Sequence, residues 1–397
     1  MDSPKMNRMI DSFPIPWSAQ ELMARARAMT GIDILDALIE EGLTLLLHSF
    51  NTEAQLNQRG VAQQEQRLLR LLCNRLRMLR DFKAHPEIAE QKISSPLIII
   101  GGPRTGSTKL HKMLAASGDF VYLPFWQAHC LSLHSGDRNE DPAARIKEAD
   151  DYIRWMDQYA PGAQVNHGYG TFEPEEEMLI CEHSFCTTFS ALFGEIPTFM
   201  QWWATHDFRD YTAFLKQGLQ YLQWQFHDGD PRPWLLKTPV YSGVESIMAE
   251  AFPGARFVST HRHPLSSVPS TVNLVNGYRV SSSDVDWRQT LGLAFCEGLA
   301  IGTEQTMAVR DSHPELNILD IRYRELTSRA DHVVENIYAH LGMPLTERAR
   351  QTMRTWDETH QAPKPESKQY SLADFGLTRE AVNTRFSQYI ERFNDYF

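Results

Sequence analysis

The chain has 397 residues, of which 42% are hydrophobic, 22% charged and 11% aromatic. This length allows two or three domains, or one large α/β domain with additions, and it gives a core that needs no disulfide or metal. The formal charge of −11 argues against binding to nucleic acid or an anionic membrane through bulk charge. It leaves room for a small local anion site.

Cysteine usage and the N-terminus indicate the cellular environment. The five cysteines are scattered without a CxxC pair, so the sequence predicts neither a disulfide framework nor a structural zinc site. Residues 1–16 contain no apolar segment typical of a secretory signal. No uncharged apolar run approaches the roughly 18 residues that cross a bilayer. We therefore expect a cytoplasmic protein with no transmembrane segment.

Residues 1–95 are predicted to form a helical N-terminal extension. Ser18 and Glu21 have the spacing of a capping box at the start of a helix, and the amphipathic run over residues 33–50 predicts a second helix. A long third helix has leucines at the spacing of one buried stripe and ends at Pro86. Arginines occupy its other face, where we expect them to be solvated rather than to bind nucleic acid.

Four short apolar runs predict the buried strands of a parallel sheet, because their hydrophobic residues are continuous rather than alternating. They lie at residues 94–102, 233–237, 255–262 and 316–321. Helical patterns separate them, as in βαβ units. The first two runs are separated by an insertion, residues 119–232, that is rich in aromatic side chains. The chain ends in an aromatic helix after a polar stretch.

A glycine-rich loop follows the first predicted strand and precedes a helix. Its residues are Gly101, Gly102, Pro103, Arg104, Thr105, Gly106, Ser107 and Thr108. The spacing of Gly101 and Gly106 is that of a phosphate-binding loop, in which backbone N–H groups and a helix N-terminus hold a tetrahedral anion. The hydroxyls of Thr105, Ser107 and Thr108 are further candidate donors. The alternative is a plain turn between strand and helix.

This loop differs from that of nucleotide triphosphatases. Ser107 stands where those enzymes have the lysine that grips the β- and γ-phosphates, and the basic residue of the loop is Arg104. An ordinary kinase or ATPase is therefore disfavoured.

Arg262 and Ser270 form a second motif. The predicted strand over residues 255–262 ends at Arg262, and Pro264 suits the first turn of the next helix. Arg262 should thus lie at the carboxyl end of a strand, where open α/β sheets bind ligands. Ser270 follows eight residues later, about two helical turns on.

With these motifs in this order, the sequence resembles the sulfotransferases that use 3′-phosphoadenosine 5′-phosphosulfate (PAPS), in particular a bacterial branch with a long substrate insertion. Residues 103–108 are similar to that branch's 5′-phosphosulfate loop, and residues 257–270 to its 3′-phosphate motif. Further similarity lies in residues 234–239, 252–258, 322–326 and 370–377.

The resemblance covers residues 96–397 and implies a fold and a set of donor contacts. The fold would be a three-layer α/β sandwich with a central parallel sheet, of the P-loop nucleotide-binding type. Residues 1–95 would be a helical extension, and residues 119–232 a helical acceptor-binding insertion within the domain 96–397. The 5′-phosphosulfate would be bound by Arg104, Thr105, Gly106, Ser107 and Thr108. The 3′-phosphate would be held by Arg262 and Ser270.

Two departures from the family pattern bear on the site. Tyr241 stands where the family often has a histidine, and the Gly-x-x-Gly-x-x-Lys element of the cytosolic members is absent. Lys364 or Lys368 could supply the missing charge to the donor, and Lys368 is our candidate. A solvated tail is the alternative.

Sulfuryl transfer resembles phosphoryl transfer, in which a loose in-line transition state is stabilised by positioning and by cationic donors. Arg104 and Lys237 are the candidate cations, the alternative for Lys237 being an ordinary surface lysine. The reaction demands no metal, and we expect none.

The insertion offers two candidates for the base that activates the acceptor hydroxyl. His167 lies in a loop-like stretch, and histidine is a common general base in enzymes. The acidic run over residues 173–177 is the other candidate, and Glu176 is the residue we select from it. Alternatively, Thr171 caps a helix, Pro174 lies in its first turn, and the acidic residues stabilise its dipole.

The acceptor is predicted to be a small alcohol or phenol. Phe185, Phe189 and Phe193 have helical spacing and either pack in the core or line a pocket for a lipophilic molecule. The acidic excess of the chain disfavours a polyanionic glycan. The sequence does not fix the oligomeric state.

Two other functions stay open. A P-loop kinase acting on a small substrate would bind ATP and Mg²⁺, against which Ser107 argues. A non-catalytic binding protein on a sulfotransferase scaffold, with its N-terminal helices docking a partner, is compatible with Tyr241 and with the unassigned base.

Overall fold

The architecture was analysed in a computed structural model, which describes residues 13–34, 36, 39–360 and 370–397. The side chains of residues 164–166 are not included in the description. Lys364 and Lys368, the sequence candidates for a donor contact, lie outside the described residues.

A four-stranded, fully parallel sheet forms the centre of the fold. Its strands are β1 (Leu97–Ile100), β2 (Leu235–Lys237), β3 (Arg256–His261) and β4 (Leu319–Arg322), in the order β2-β1-β3-β4. Ile98 pairs with Leu236 on one side and with Phe257 on the other. The first three strands lie within predicted apolar runs, and β4 overlaps the fourth run and extends one residue beyond it, to Arg322. β1 and β2 are buried along their whole length.

Helices cover both faces of the sheet. Successive residues of β1 point to opposite faces. Ile98 and Ile100 join a core cluster with helices of the insertion, whereas Leu97 and Ile99 join a second cluster with the helices after β1 and β4. The result is the predicted three-layer α/β sandwich.

The helices have the following bounds. Those before and within the insertion are α1 (Ala19–Thr30), α2 (Glu40–Thr52), α3 (Gln58–Ala84), α4 (Ser107–Ala116), α5 (Phe125–His129), α6 (Ala143–Tyr159), α7 (Pro161–His167), α8 (Met178–Cys181), α9 (Pro197–Trp203) and α10 (Phe208–Phe226). Those after it are α11 (Glu245–Ala251), α12 (Pro264–Arg279), α13 (Arg288–Ser312), α14 (Tyr323–Ser328), α15 (Ala330–Leu341), α16 (Glu347–Thr359), α17 (Arg379–Arg385) and α18 (Ser387–Arg392). Short 3₁₀ turns are Pro86–Ile88, Glu182–Ser184, Thr188–Leu192, Pro239–Tyr241, Pro314–Leu316, Leu372–Phe375 and Asn394–Tyr396.

The N-terminal helices follow the sequence pattern with two differences. The capping box of Ser18 and Glu21 opens α1 as predicted. The second helix begins at Glu40 rather than near residue 33, and its N-cap residue Ile39 offers no side-chain oxygen as a cap. The arginine face of α3 is also not wholly solvated, because Arg67 and Arg75 are buried.

Those two buried arginines are paired. Arg67 Nε lies 3.1 Å from a Glu182 oxygen in the insertion, and Arg75 Nε lies 2.6 Å from an Asp36 oxygen. The first pair joins the N-terminal helices to the insertion, whereas the second lies within the N-terminal extension. The N-terminal helices also share a hydrophobic cluster with the insertion through Phe185 and Phe199.

The predicted helical stripe of phenylalanines is wrong as secondary structure. Phe185 has a left-handed backbone with φ 55°, which ends the turn before it, and Phe189 lies in a separate 3₁₀ turn. All three phenylalanines are buried, but in two clusters: Phe185 packs with the N-terminal helices, whereas Phe189 and Phe193 pack with Tyr278 of α12. They are core residues, as the alternative interpretation held.

Among the described residues, no helix combines the length and apolarity that spanning a membrane requires.

Candidate functional site

The loops that leave β1, β2 and β3 meet at one edge of the sheet. Because the strands are parallel, their carboxyl ends lie side by side, and the three predicted cationic residues follow directly. Arg104 lies in the loop after β1, Lys237 is the last residue of β2, and Arg262 follows β3.

The loop after β1 has the backbone of an anion-binding turn. Arg104 has φ 64° and Gly106 has φ 96°, and α4 begins at Ser107. A left-handed backbone is uncommon for a residue other than glycine, and such strain is concentrated at functional sites. Gly106 leaves little space for a side chain, because a Cβ there would lie 3.0 Å from both the Tyr323 ring and the Leu326 side chain.

The threonine of this loop has a different role from the one predicted for its hydroxyl. Thr105 is buried, and its Oγ1 lies 2.6 Å from both the Gly102 carbonyl oxygen and Thr260 Oγ1. The hydroxyl therefore ties the loop to β3 and does not face a ligand as a free donor. Ser107 and Thr108 lie in the first turn of α4.

The two predicted donor motifs contact each other. Arg104 Nε donates to Ser270 Oγ at 3.1 Å, and Arg262 donates to the Arg104 carbonyl oxygen at 2.9 Å. The Arg262 guanidinium also stacks over the Tyr323 ring, 4.2 Å from its centre. Burial lowers the pKa of the Arg104 guanidinium, a sign that the charge lies in a partly desolvated cleft.

Lys237 turns into the same cleft. The residue is only 2% exposed, and its Nζ lies 3.4 Å from Thr108 Oγ1 in the first turn of α4. The alternative of a surface lysine is therefore wrong. The ammonium also donates a short hydrogen bond to Glu176.

The acidic run is not the start of a helix. Pro174 forms an isolated bridge with Pro124, Thr171 donates to Asp150 instead of capping, and α8 begins only at Met178. The capping interpretation of this run is wrong, because the segment is extended and pairs with the backbone of Leu123 and Pro124.

Each carboxylate of the run instead has its own partner. Glu173 pairs with Lys112 at 3.3 Å, and Glu176 pairs with Lys237. The members of the run are thus separated into different roles by their contacts.

His167, the predicted base, pairs with Glu175. It is the last residue of α7 rather than part of a loop, and its Nε2 lies 2.9 and 3.0 Å from the two Glu175 oxygens. Burial alone raises the pKa of the Glu175 carboxyl. The charge and hydrogen bonds of His167, with the charge of Lys237, outweigh burial and lower that pKa well below its usual range.

The remaining carboxylate of the run, Glu177, is structural. It is buried and accepts hydrogen bonds from the Tyr241 hydroxyl and, at 2.9 Å, from the Lys237 backbone N–H. Burial raises its pKa to about 7, although these hydrogen bonds oppose the shift. Tyr241, which stands where the family often has a histidine, is therefore linked to the end of β2 through Glu177.

Two tyrosines, Tyr169 and Tyr278, connect His167 to the core. The Tyr169 ring lies 4.4 Å from the His167 ring, and its hydroxyl makes a short hydrogen bond with Tyr278 of α12. A third tyrosine, Tyr323, lies against the Arg262 guanidinium and beside Gly106. The sequence around Tyr169 and Tyr278 does not predict that these two residues are in contact. Tyr323 falls within the similarity over residues 322–326.

The described residues contain one group whose side chains could hold a metal ion. Its members are His129, Cys130 and Glu148, with their ligand atoms within 4.8 Å of one another. None of the three belongs to the loops after β1, β2 and β3.

Together these features define an α/β protein in which a phosphate-type loop and a second strand-end arginine are in contact at one edge of the sheet. The sequence profile of the sulfotransferase family matches residues 96–347, and the chain belongs to that family.

Solved structures show the same fold. Sulfotransferase STF9 from Mycobacterium avium superposes with a TM-score of 0.83, at 23% identity over 97% of this chain and 98% of that chain. Sulfotransferase STF1 from Mycobacterium tuberculosis H37Rv gives 0.75, at 24% identity over 94% of this chain and 99% of that one. No curated protein sequence matches the chain.

Proposed function

We propose that the protein transfers the sulfuryl group of PAPS to a hydroxyl of a small, lipophilic acceptor. The observation that carries this proposal is the contact between the two motifs: Arg104 touches Ser270, and Arg262 touches the loop that contains Arg104. Two anionic groups of one nucleotide would be bound by a single connected set of side chains.

The residues present fit such a donor. The turn around Arg104 and Gly106 and the N-terminus of α4 present backbone N–H groups to a tetrahedral anion. Arg104 and Lys237 would hold the phosphosulfate, whereas Arg262 and Ser270 would hold the 3′-phosphate. Lys368 remains a prediction for the same role.

The chain's own groups would act on the acceptor as follows. The acceptor oxygen forms a bond to sulfur while the bond from sulfur to the 5′-phosphate oxygen breaks. His167 takes the hydroxyl proton, and Glu175 fixes its tautomer by accepting from Nε2, which leaves Nδ1 as the proton acceptor. Lys237 and Arg104 stabilise the charge that develops on the leaving phosphate.

Glu176 acts through Lys237 in this proposal. Its carboxylate holds the ammonium in place before the donor arrives. Because a phosphosulfate carries several negative charges, it would compete with Glu176 for the same cation. Glu176 thus positions a catalytic group and His167 takes the proton.

The proposal is tested by binding of the product nucleotide, adenosine 3′,5′-bisphosphate, in isothermal titration calorimetry. Arg104→Ala and Arg262→Ala should each weaken binding by about 10- to 100-fold, since each removes a charge-assisted contact of about 1.5–3 kcal/mol. Arg209→Ala, which breaks an exposed pair with Glu250, is the matched control and should bind like wild type.

A wild-type protein that does not bind this nucleotide would refute the proposal. A protein that binds it but transfers no labelled sulfate from PAPS to any component of a lipid and metabolite extract would be a non-catalytic member of the family.

A further inference from the structure

Three side chains that can ligate a metal converge in the insertion, away from the proposed donor site. His129 is the last residue of α5, Cys130 follows it, and Glu148 lies on α6. One ligand atom from each lies within 4.8 Å of the other two. We propose that these three side chains bind a zinc ion that joins α5 to α6. This inference goes beyond the proposed function and does not rest on it.

The end of α5 brings two consecutive side chains to the same point. Neighbouring side chains diverge by about 100° around a helix and alternate in a strand, so a regular element would separate His129 from Cys130. Cys130 has φ −115° and ψ 67°, which interrupts the helix. The His129 carbonyl accepts hydrogen bonds from Arg70 at 2.5 Å and from Asn74 at 3.2 Å, so α3 holds this turn in place.

The His129 imidazole is placed as a ligand. The residue is 6% exposed, and neither ring nitrogen has a hydrogen-bond partner among the described residues. Its ring centre lies 5.4 Å from that of Phe125 and 4.6 Å from that of Tyr152, contacts that fix the plane of the ring. Buried polar groups in folded proteins nearly always have a partner, so this imidazole is available to a group from outside the chain.

Cys130 and Glu148 supply the negative charges that balance a dication. Glu148 is half-buried and forms no ion pair with any residue that the structure describes. Burial and the Glu148 charge raise the pKa of the Cys130 thiol, whereas the charges of Arg70 and Arg145 oppose that shift and favour the thiolate. As zinc binds, the zinc–sulfur bond forms and the thiol proton leaves to solvent. Thiolate and carboxylate together then neutralise the ion.

The donor set selects zinc among the common ions. Calcium and magnesium take oxygen ligands, whereas thiolate and imidazole suit zinc. Zinc–ligand bonds of about 2.0–2.3 Å put tetrahedral ligand atoms about 3.3–3.8 Å apart, so small rotations of the three side chains bring them into range. Because Glu148 is half-buried, solvent reaches the site and supplies the fourth ligand. No CxxC pair is involved, so the cysteine spacing gives no sign of the site.

The ion would brace the part of the insertion that carries His167. The backbone N–H groups of Phe125 and Trp126 in α5 donate to the Glu173 and Thr171 carbonyls, each at 3.0 Å. On the other side, α6 is followed directly by α7, which ends at His167. The role of the zinc is thus structural, and the expectation of a metal-free transfer reaction is unaffected.

Zinc binding to the full chain tests the site. Untagged protein, freed of metal with a chelator, is titrated with Zn²⁺ in competition with the indicator 4-(2-pyridylazo)resorcinol, and wild type should bind one ion per chain. Cys130→Ser and Glu148→Gln should each weaken binding by about 100-fold or more, since loss of even an outer-shell partner costs about 10–100-fold. Cys186→Ser removes a thiol of the insertion outside the cluster and should bind like wild type.

Two further readouts separate loss of a ligand from loss of the fold. Bound Co²⁺ should give a thiolate charge-transfer band in the near-ultraviolet, which Cys130→Ser should remove and Cys186→Ser should retain. In thermal unfolding, zinc should raise the melting temperature of wild type. Metal-free Glu148→Gln should melt like metal-free wild type, and zinc should not raise its melting temperature.

The results that would overturn the proposal are equally specific. Wild type that binds no zinc would refute it. Binding that survives in both Cys130→Ser and Glu148→Gln would place the ion elsewhere in the molecule and would also refute it. A cobalt complex without a thiolate band, or with a band that Cys186→Ser removes, would exclude Cys130 as a ligand and with it the proposed site.

Discussion

At the scale of single residues, the most informative contact is the pairing of His167 with Glu175. A histidine near a sheet edge is ordinarily inert, but this one has both oxygens of a buried carboxylate on one ring nitrogen. In the proposed mechanism, that arrangement fixes the tautomer and leaves the opposite nitrogen for a proton from the acceptor. In that mechanism Glu175 orients the base, whereas Glu176 contacts Lys237, and the predicted catalytic role of Glu176 stays a prediction.

Substitution of this pair should slow catalysis without weakening donor binding. We expect His167→Asn to lower kcat by about 10²–10⁴-fold, the usual contribution of a general base, and Glu175→Gln to lower it at least about tenfold. Steady-state kinetics with labelled PAPS would measure this, with the KM for PAPS unchanged in both variants.

The matched control is Glu173→Gln, in the same acidic run but paired with Lys112 and 41% exposed. It should retain wild-type kcat. A kcat for His167→Asn within threefold of wild type would show that another group takes the proton.

The buried carboxyl of Glu177 should make stability depend on pH. Its ordinary pKa is 4.5, and burial raises it to about 7 in the folded protein. Between these values the folded state holds more protons than the unfolded state, so the free energy of unfolding falls as pH rises. The shift corresponds to a loss on the order of 3 kcal/mol, fully developed above about pH 7.

Urea unfolding of wild type and Glu177→Gln between pH 5 and pH 8 would measure this loss. The variant has no carboxyl to ionise, so its unfolding free energy should fall less steeply over that range. Parallel curves would mean that Glu177 does not titrate there.

At the scale of elements, the loop after β1 is shaped by its neighbours as much as by its own sequence. Gly106 combines a left-handed backbone with contact to Tyr323 at the start of α14. The loop, α4 and α14 are therefore positioned by one another, and a side chain at Gly106 would push Tyr323 away from Arg262.

Gly106→Ala should weaken binding of adenosine 3′,5′-bisphosphate by tenfold or more in calorimetry. Gly118→Ala is the matched control, because Gly118 follows the same helix with φ 78° and a Cβ there would meet nothing within 4 Å. Both variants should lose about 1–2 kcal/mol of stability through backbone strain. Equal nucleotide affinity in the two would show that the Tyr323 contact does not matter.

The strands and the cationic residues could be predicted from sequence, because both depend on local pattern. Each strand is an apolar run, and Arg104, Lys237 and Arg262 each lie at or beyond the end of one. The acidic run could not be assigned in the same way. Whether Glu175 or Glu176 contacts His167 depends on which way each side chain of an extended segment points. That direction is set by contacts with residues far away in the sequence.

The predicted helix through the three phenylalanines of the insertion was wrong for a related reason. Their spacing matches a helix, but the left-handed backbone at Phe185 separates them, and they serve two different clusters. The division into residues 1–95 and 96–397 stays a prediction.

At the scale of the whole molecule, the N-terminal helices are joined to the insertion by a buried ion pair. Arg67 of α3 and Glu182 are 4% and 2% exposed, and Arg67 also donates to Ser190 Oγ at 3.2 Å. Its guanidinium lies over the rings of Phe189 and Phe193. Burial raises the pKa of Glu182, against the opposing charges of Arg67 and Arg70. Some arginines of this acidic chain therefore form buried ion pairs and do not contribute positive charge to the surface.

Removal of Arg67 from this pair should destabilise the whole protein, because the buried Glu182 charge would keep only the more distant Arg70, at 3.9 Å, as a partner. We expect Arg67→Met to lower the free energy of unfolding by about 3–5 kcal/mol, and Arg67→Met with Glu182→Leu to recover most of that loss. Arg25→Met is the control, since the Arg25–Glu65 pair is 35% and 23% exposed and should contribute at most about 1 kcal/mol. Urea unfolding of the full chain measures all three. A single cooperative transition that shifts as a whole would show that the N-terminal helices and the insertion unfold together, whereas an early transition confined to the Arg67→Met variant would show that the helices detach on their own.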